Sequence, residues 1–144
     1  MTKALYTAEA HVTGGRVAGH GRTSDGMLEV DLRLPTEMGG QGGGTNPEEL
    51  FAVGYAACFE GALGTVGRRA KQEVGDVSID SSVSLVTTDD RAFTVAVELD
   101  VTLPSLGDED AVELVRAAHK VCPYSNATRG NIDVTLTANG QAVA

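Results

Sequence analysis

The chain has 144 residues, 20 of them acidic against 11 basic, for a formal charge of −9. This length gives one domain over 1–144 with a sizeable core. The deficit of Lys and Arg argues against nucleic acid or an anionic membrane as partner, because both need a basic patch. No segment is expected to approach a membrane span. The first residues, MTKALYTAEAHV, contain no apolar run of signal-peptide length, so a cytoplasmic location is expected. In such a reducing compartment the two cysteines make a poor structural framework, and each is a core residue, a metal ligand or a redox thiol.

In chain order, residues 4–12 alternate with a period of two (Tyr6, Ala8, Ala10, Val12) and predict a half-buried strand that ends at Gly14-Gly15. Arg16 follows. A Gly-rich strand then runs to about Thr23, Ser24-Asp25-Gly26 forms a turn, and Leu28, Val30, Leu32 and Leu34 mark a third strand. Pro35–Gly44 is a loop. Thr45–Lys71 predicts a long helix, with Asn46 as N-cap, Pro47 at its first position and Glu49 where a capping-box carboxylate belongs. Its apolar residues from Leu50 to Val66 cover most of the circumference, the pattern of a helix enclosed by other elements.

Beyond Gly75, alternation at Val77, Ile79, Val83 and Leu85 predicts a strand, and Phe93, Val95, Val97, Leu99, Val101 and Leu103 predict a second. A helix capped by Asp108 is expected to run to about Val121, with Cys122 continuing its apolar stripe. Pro123–Arg129 suits a further helical turn, and Ile132, Val134 and Leu136 a last strand. The order βββ-α-ββ-α-β, with clustered antiparallel strands, indicates an α+β fold with a buried central helix.

Cys58 lies within the long helix and Cys122 on the inward stripe of the second, so the two thiols can meet across a helix contact and form a disulfide. The plain alternative is two buried core cysteines. A reactive thiol needs a nearby cation; Arg16, Arg129 and the Arg68-Arg69 pair are the candidates, and Glu48 has the simpler reading of a helix-dipole carboxylate. Two cysteines and three scattered histidines show no zinc spacing, Gly40–Gly44 lacks the G-K-[ST] ending of a phosphate loop, and no G-x-S-x-G marks a serine hydrolase.

The stretches TNPEELFAVGYAACF (Thr45–Phe59) and CPYSNATRGNI (Cys122–Ile132), with GGR at Gly14–Arg16 and TSDG at Thr23–Gly26, closely resemble the organic hydroperoxide resistance (Ohr) proteins of the Ohr/OsmC family, and the resemblance covers essentially the whole chain. It implies a thiol peroxidase that reduces organic hydroperoxides to alcohols. Cys58 would be the peroxidatic cysteine, Cys122 the resolving one, and Arg16 and Glu48 the polar pair that organises the site. It further implies an intertwined homodimer with strands wrapped around central helices. It implies no bound cofactor or metal, and an external dithiol reductant, dihydrolipoamide or a lipoylated protein. The alternatives are an OsmC-like peroxidase of broader peroxide range and a non-catalytic ligand-binding dimer.

The spacing adds a geometric expectation. Ten positions of continuous helix separate Glu48 from Cys58 by about 15 Å along the axis. Either the helix breaks, or Arg16 and Glu48 reach the cysteine from elsewhere, which suggests a site shared between two subunits. Phe51, Val53, Tyr55, Phe59 and Met38 are the candidates for an apolar substrate lining.

Overall fold

The computed structural model describes residues 2–144. They form an α+β fold in two compact units, one ending at Leu50 and the other spanning Phe51–Ala144. In the first unit β1 (Ala10–Thr13), β2 (Ala18–Thr23) and β3 (Glu29–Arg33) make an antiparallel meander in that order. Strand β1 is shorter than the alternation predicted. Its register with β2 starts at Ala10↔Thr23, and the turn at Ser24–Gly26 leaves the earlier residues no strand to pair with, so Leu5 and Tyr6 stay exposed. That turn is fastened by Asp25, whose carboxylate accepts from the Thr23 hydroxyl at 2.7 Å and the Met27 N–H at 3.0 Å.

One face of the meander is apolar: Val12, Val30, Leu32 and Leu50 line a small cleft there. The other face is polar. On it His20 sits between Asp31 (2.9 Å to Nδ1) and Glu29 (2.8 Å to Nε2), and because these nitrogens point to opposite sides of the ring, the two carboxylates flank the imidazole and do not converge on a point. After a 3₁₀ turn at Thr36–Met38 the chain runs back beside β3, where Thr45 exchanges backbone hydrogen bonds with Asp31 and Arg33. Gly44 is needed there, since a Cβ would stand 2.6 Å from the Asp31 carbonyl oxygen. This return sets where α1 (Pro47–Arg69) begins.

The cap of α1 is the predicted one: Asn46 Oδ1 accepts the Glu49 N–H at 2.8 Å. The capping box is not completed, because the Glu49 carboxylate accepts from the Thr45 hydroxyl at 2.8 Å instead. Contrary to expectation, α1 is long and apolar enough, by length and composition, to cross a membrane. In the fold its Tyr55, Phe59, Leu63 and Val66 join the core of the second unit, while Val53, Ala57 and Gly61 face outward, so only part of the helix circumference is enclosed by its own chain.

The second unit's sheet has the order β4 (Ser78–Thr87), β5 (Phe93–Thr102), β6 (Val134–Ala138), β7 (Gln141–Val143). Val97, Leu99 and Val101, at alternate positions of β5, are fully buried against the helices. Between β5 and β6 come α2 (Asp108–Val121) and α3 (Pro123–Thr128). Because this connection is a helical crossover, β5 and β6 pair in parallel, a departure from the antiparallel arrangement that the alternation suggested. Gly107, not Asp108, holds the N-cap position of α2, and it makes no side-chain cap. Asp108, Glu109 and Asp110 fall in the first turn, where they complement the helix dipole.

Candidate active site

The four candidate residues fall into two pairs, one in each unit. In the second unit Cys58 sits half-buried on α1, one turn beyond the buried Tyr55. Cys122 ends α2, its N–H donating to the Ala118 carbonyl, and Pro123 opens α3 immediately after it. Proline suits that position because it has no N–H to leave unpaired. The junction turns Cys122 inward, fully buried, with its sulfur 3.7 Å from that of Cys58. Both are free thiols. A disulfide of about 2.05 Å therefore requires closure by less than 2 Å, within reach of side-chain rotation.

Burial pushes the Cys58 thiol up from its ordinary value, a backbone N–H bond from Tyr124 opposes the shift, and the adjoining Cys122 adds to it. In the same unit three rings cluster: Phe51, Tyr55 and Tyr124, with centroids 5.6 to 5.8 Å apart. Gly54 gives Tyr124 its seat, because a Cβ there would stand 3.2 Å from the Tyr124 hydroxyl oxygen.

In the first unit Arg16 leaves the β1–β2 turn, which depends on Gly14 at φ 79° with its α-hydrogen side against the Ala18 carbonyl; a Cβ would come within 2.3 Å of that oxygen. The Arg16 guanidinium donates both arms to Glu48 in the first turn of α1, at 3.0 and 2.9 Å. This fork-to-carboxylate geometry is the one arginine supplies and lysine does not. The bond to Arg16 holds the Glu48 carboxyl below its usual range and keeps the guanidinium charged. Helix α1 is unbroken from Pro47 to Arg69, which removes the expected alternative of a break between Glu48 and Cys58.

Several other candidates take structural parts. Arg129 donates to Asn126 and to the His119 carbonyl, and Arg68 and Arg69 are exposed at the end of α1. Tyr55 and Phe59 are fully buried core residues; Val53 is 72% exposed, and Met38 ends the 3₁₀ turn of the first unit. Sequence reasoning missed a buried chain of polar groups beside the cysteines. The Tyr55 hydroxyl lies 2.8 Å from Ser125 Oγ and 3.2 Å from Thr128 Oγ1, and His119 Nδ1 lies 2.8 Å from Ser125 Oγ. Its only sequence signal is spacing: Tyr55 stands three before Cys58, and His119 and Ser125 stand three either side of Cys122.

With this geometry in hand, comparison with known proteins is decisive about family. A family profile described as OsmC-like protein matches residues 40–137. The chain belongs to the OsmC family. Its relatives include Ohr proteins: one from Xanthomonas axonopodis pv. citri (strain 306), named Organic hydroperoxide resistance protein, is 53% identical over 137 residues, covering 94% of this chain and 95% of that protein. The crystal structure of an organic hydroperoxide resistance protein OsmC from Legionella pneumophila superposes with a TM-score of 0.90 at 51% identity, over 94% of this chain and 98% of that one. The structure of the Bacillus subtilis protein OhrB gives a TM-score of 0.85 at 48% identity, over 94% and 99%. The match to the Ohr/OsmC fold therefore extends over almost the whole chain, as the motifs around Cys58 and Cys122 implied.

Proposed function

We propose that this Ohr/OsmC family member is a cysteine-based peroxidase that reduces organic hydroperoxides to alcohols, with residues 1–144 acting as one functional domain. The observation that carries the reading is the unequal burial of two touching thiols: Cys58 is half-exposed, Cys122 is fully buried, and their sulfurs are 3.7 Å apart. Only Cys58 is open to a peroxide, and only Cys122 is close enough to resolve it. The Cys58 thiolate attacks the terminal oxygen of R–OOH, the O–O bond breaks, and the alkoxide leaves as alcohol after taking up a proton. Cys58 becomes a sulfenic acid. Cys122 then attacks that sulfur, and the S–O bond breaks with release of water and formation of the disulfide. A dithiol of the dihydrolipoamide type, free or on a lipoylated protein, returns both thiols in a cytoplasmic setting.

Ionising the thiol is a small part of the rate. A free thiol of pKa about 8.5 is already a few per cent ionised at pH 7, so full ionisation gains about 30-fold, and more for Cys58, whose thiol burial pushes up. The rest is assigned to donors placed where charge develops on the leaving oxygen, a part that suits the Arg16 guanidinium held by Glu48. The reading assigns the Arg16–Glu48 pair of one chain to Cys58 of a second copy, the shared site that the ten-residue spacing of Glu48 and Cys58 in the sequence suggests. The outward Val53, Ala57 and Gly61 on an otherwise apolar helix support such a homodimer.

The division of labour is tested by trapping. After one equivalent of tert-butyl hydroperoxide, Cys122→Ser is expected to accumulate a dimedone-reactive sulfenic acid at Cys58, and Cys58→Ser to leave the peroxide unconsumed. Full peroxide turnover by Cys58→Ser would refute the reading.

A further inference from the structure

The buried hydroxyl groups around the cysteines admit only one arrangement of protons. The Thr128 hydroxyl contacts the Tyr124 carbonyl at 2.9 Å, and a carbonyl only accepts, so the Thr128 proton is committed there. Tyr55, 3.2 Å from Thr128 Oγ1, must then donate to it. Its single proton is thereby used, so across the 2.8 Å contact Ser125 donates to Tyr55. Ser125 has none left for His119, so His119 Nδ1 must carry the hydrogen that spans the last 2.8 Å. Any other arrangement sets lone pair against lone pair beside a tyrosine and a serine that are both fully buried.

The result is a one-way donor chain: His119 Nδ1–H to Ser125, Ser125 to Tyr55, Tyr55 to Thr128, Thr128 to the Tyr124 carbonyl. It links three elements. Tyr55 is on the helix that carries Cys58, one turn away from it; His119 is on the last turn of α2, and Ser125 and Thr128 are on α3, either side of Cys122. The chain is neutral. Burial, and secondarily the charge of Arg129, hold the His119 pKa below its ordinary value, in keeping with an imidazole that carries one hydrogen.

We propose that this donor chain is a positioning device that holds Cys122 against Cys58 and so sets the rate at which the oxidised Cys58 is resolved. The inference rests on the peroxidase reading above. Resolution competes with a second peroxide: Cys122 attack on the Cys58 sulfenic acid forms the disulfide and water, whereas a second R–OOH transfers its oxygen to the same sulfur, giving sulfinic acid and alcohol. The first path needs the Cys122 sulfur held within reach of Cys58; the second does not. Loosening the device should therefore slow resolution, spare the peroxide step and raise over-oxidation. Tyr55, Ser125, Thr128 and His119 touch neither reacting sulfur through this chain and act only through position.

The test is a single-turnover time course on the full-length reduced protein mixed with one equivalent of tert-butyl hydroperoxide, quenched with dimedone and read by intact mass. It separates thiol, sulfenic acid and disulfide, and a parallel sample with ten equivalents reads sulfinic acid. In Tyr55→Phe, which keeps the ring and removes only the hydroxyl, thiol loss is expected within about twofold of wild type, and disulfide formation slowed about tenfold or more. The sulfinic fraction should rise with it. His119→Leu should behave as Tyr55→Phe, and His119→Asn, whose amide N–H stands where Nδ1–H does, should restore the wild-type rate; a merely structural role would not distinguish them. If Tyr55→Phe does not fold, Ser125→Ala and the two His119 variants decide the question. Disulfide formation at the wild-type rate in the folded variants, or a peroxide step that falls as far as resolution, overturns the proposal. Wild-type protein that forms no disulfide overturns the peroxidase reading, and with it the proposal, and that result is distinct from the other two.

Discussion

Arg16 and Glu48 in the first unit are held together by charge, whereas Tyr55, Ser125, Thr128 and His119 in the second are held by neutral hydrogen bonds. The first pair is long-armed and partly open, with Arg16 36% exposed, and it hangs from a glycine turn. The second set is mostly buried, its members 2.8 to 3.2 Å apart. Ionic contacts near solvent are weak and screened, so such a pair can be remade at little cost. Buried neutral networks are costly to break and favour one geometry. On the proposed peroxidase reading the two sets suit different tasks: the charged pair to meet a developing charge, the neutral network to fix the distance between two sulfurs.

The largest expected effect breaks the first half. Arg16→Ala should lower the peroxide step about 10²-fold or more, the scale of removing one donor to developing charge. Mixing Arg16→Ala with Cys58→Ser, the first about 10²-fold impaired and the second inactive, should recover roughly a quarter of wild-type activity if subunits exchange freely, because half the dimers then hold one complete site of two. No recovery between freely exchanging subunits would place both residues in one chain. A second effect is on pH. Burial already raises the Cys58 thiol, so removing the Arg16 cation should move the midpoint of the rate–pH profile further up, never down.

Smaller effects sharpen the same comparison. Glu48 has a depressed folded pKa, so the stability it contributes is present above its ordinary value of 4.5 and is lost as pH falls through the folded value. Thermal melts of Glu48→Gln should lack that acid-side loss, and Tyr55→Phe should retain it. Smallest is Asn46→Ala, expected to cost about 1 kcal/mol in denaturant unfolding because it removes the cap that starts α1.

The sequence signals differ between the halves for the same physical reasons. Helix α1 announced itself through Asn46, Pro47 and its apolar residues, and β5 through strict alternation, because both patterns are local. The direction of β6 against β5 was not readable, since alternation specifies a face and not a partner. Strand β7, only Gln141–Val143, was too short to leave a pattern. Cys58, Cys122, Arg16 and Glu48 stood out by chemical type and by family motif. The hydroxyl chain did not, because Ser125 and Thr128 in isolation read as turn residues, and only the folding of α3 over α1 buries them with Tyr55. At the expected apolar lining, Tyr55 and Phe59 are fully buried in the core, a placement that side-chain type alone does not reveal.

The central claim is that Cys58 and Cys122 work as a pair. One equivalent of tert-butyl hydroperoxide added to the reduced protein, followed by intact-mass measurement and peptide mapping, tests it directly. The account predicts a product lighter by two hydrogens with Cys58 and Cys122 linked in one peptide pair. Unchanged mass, or oxygen retained on Cys58 with Cys122 still a free thiol, would contradict it.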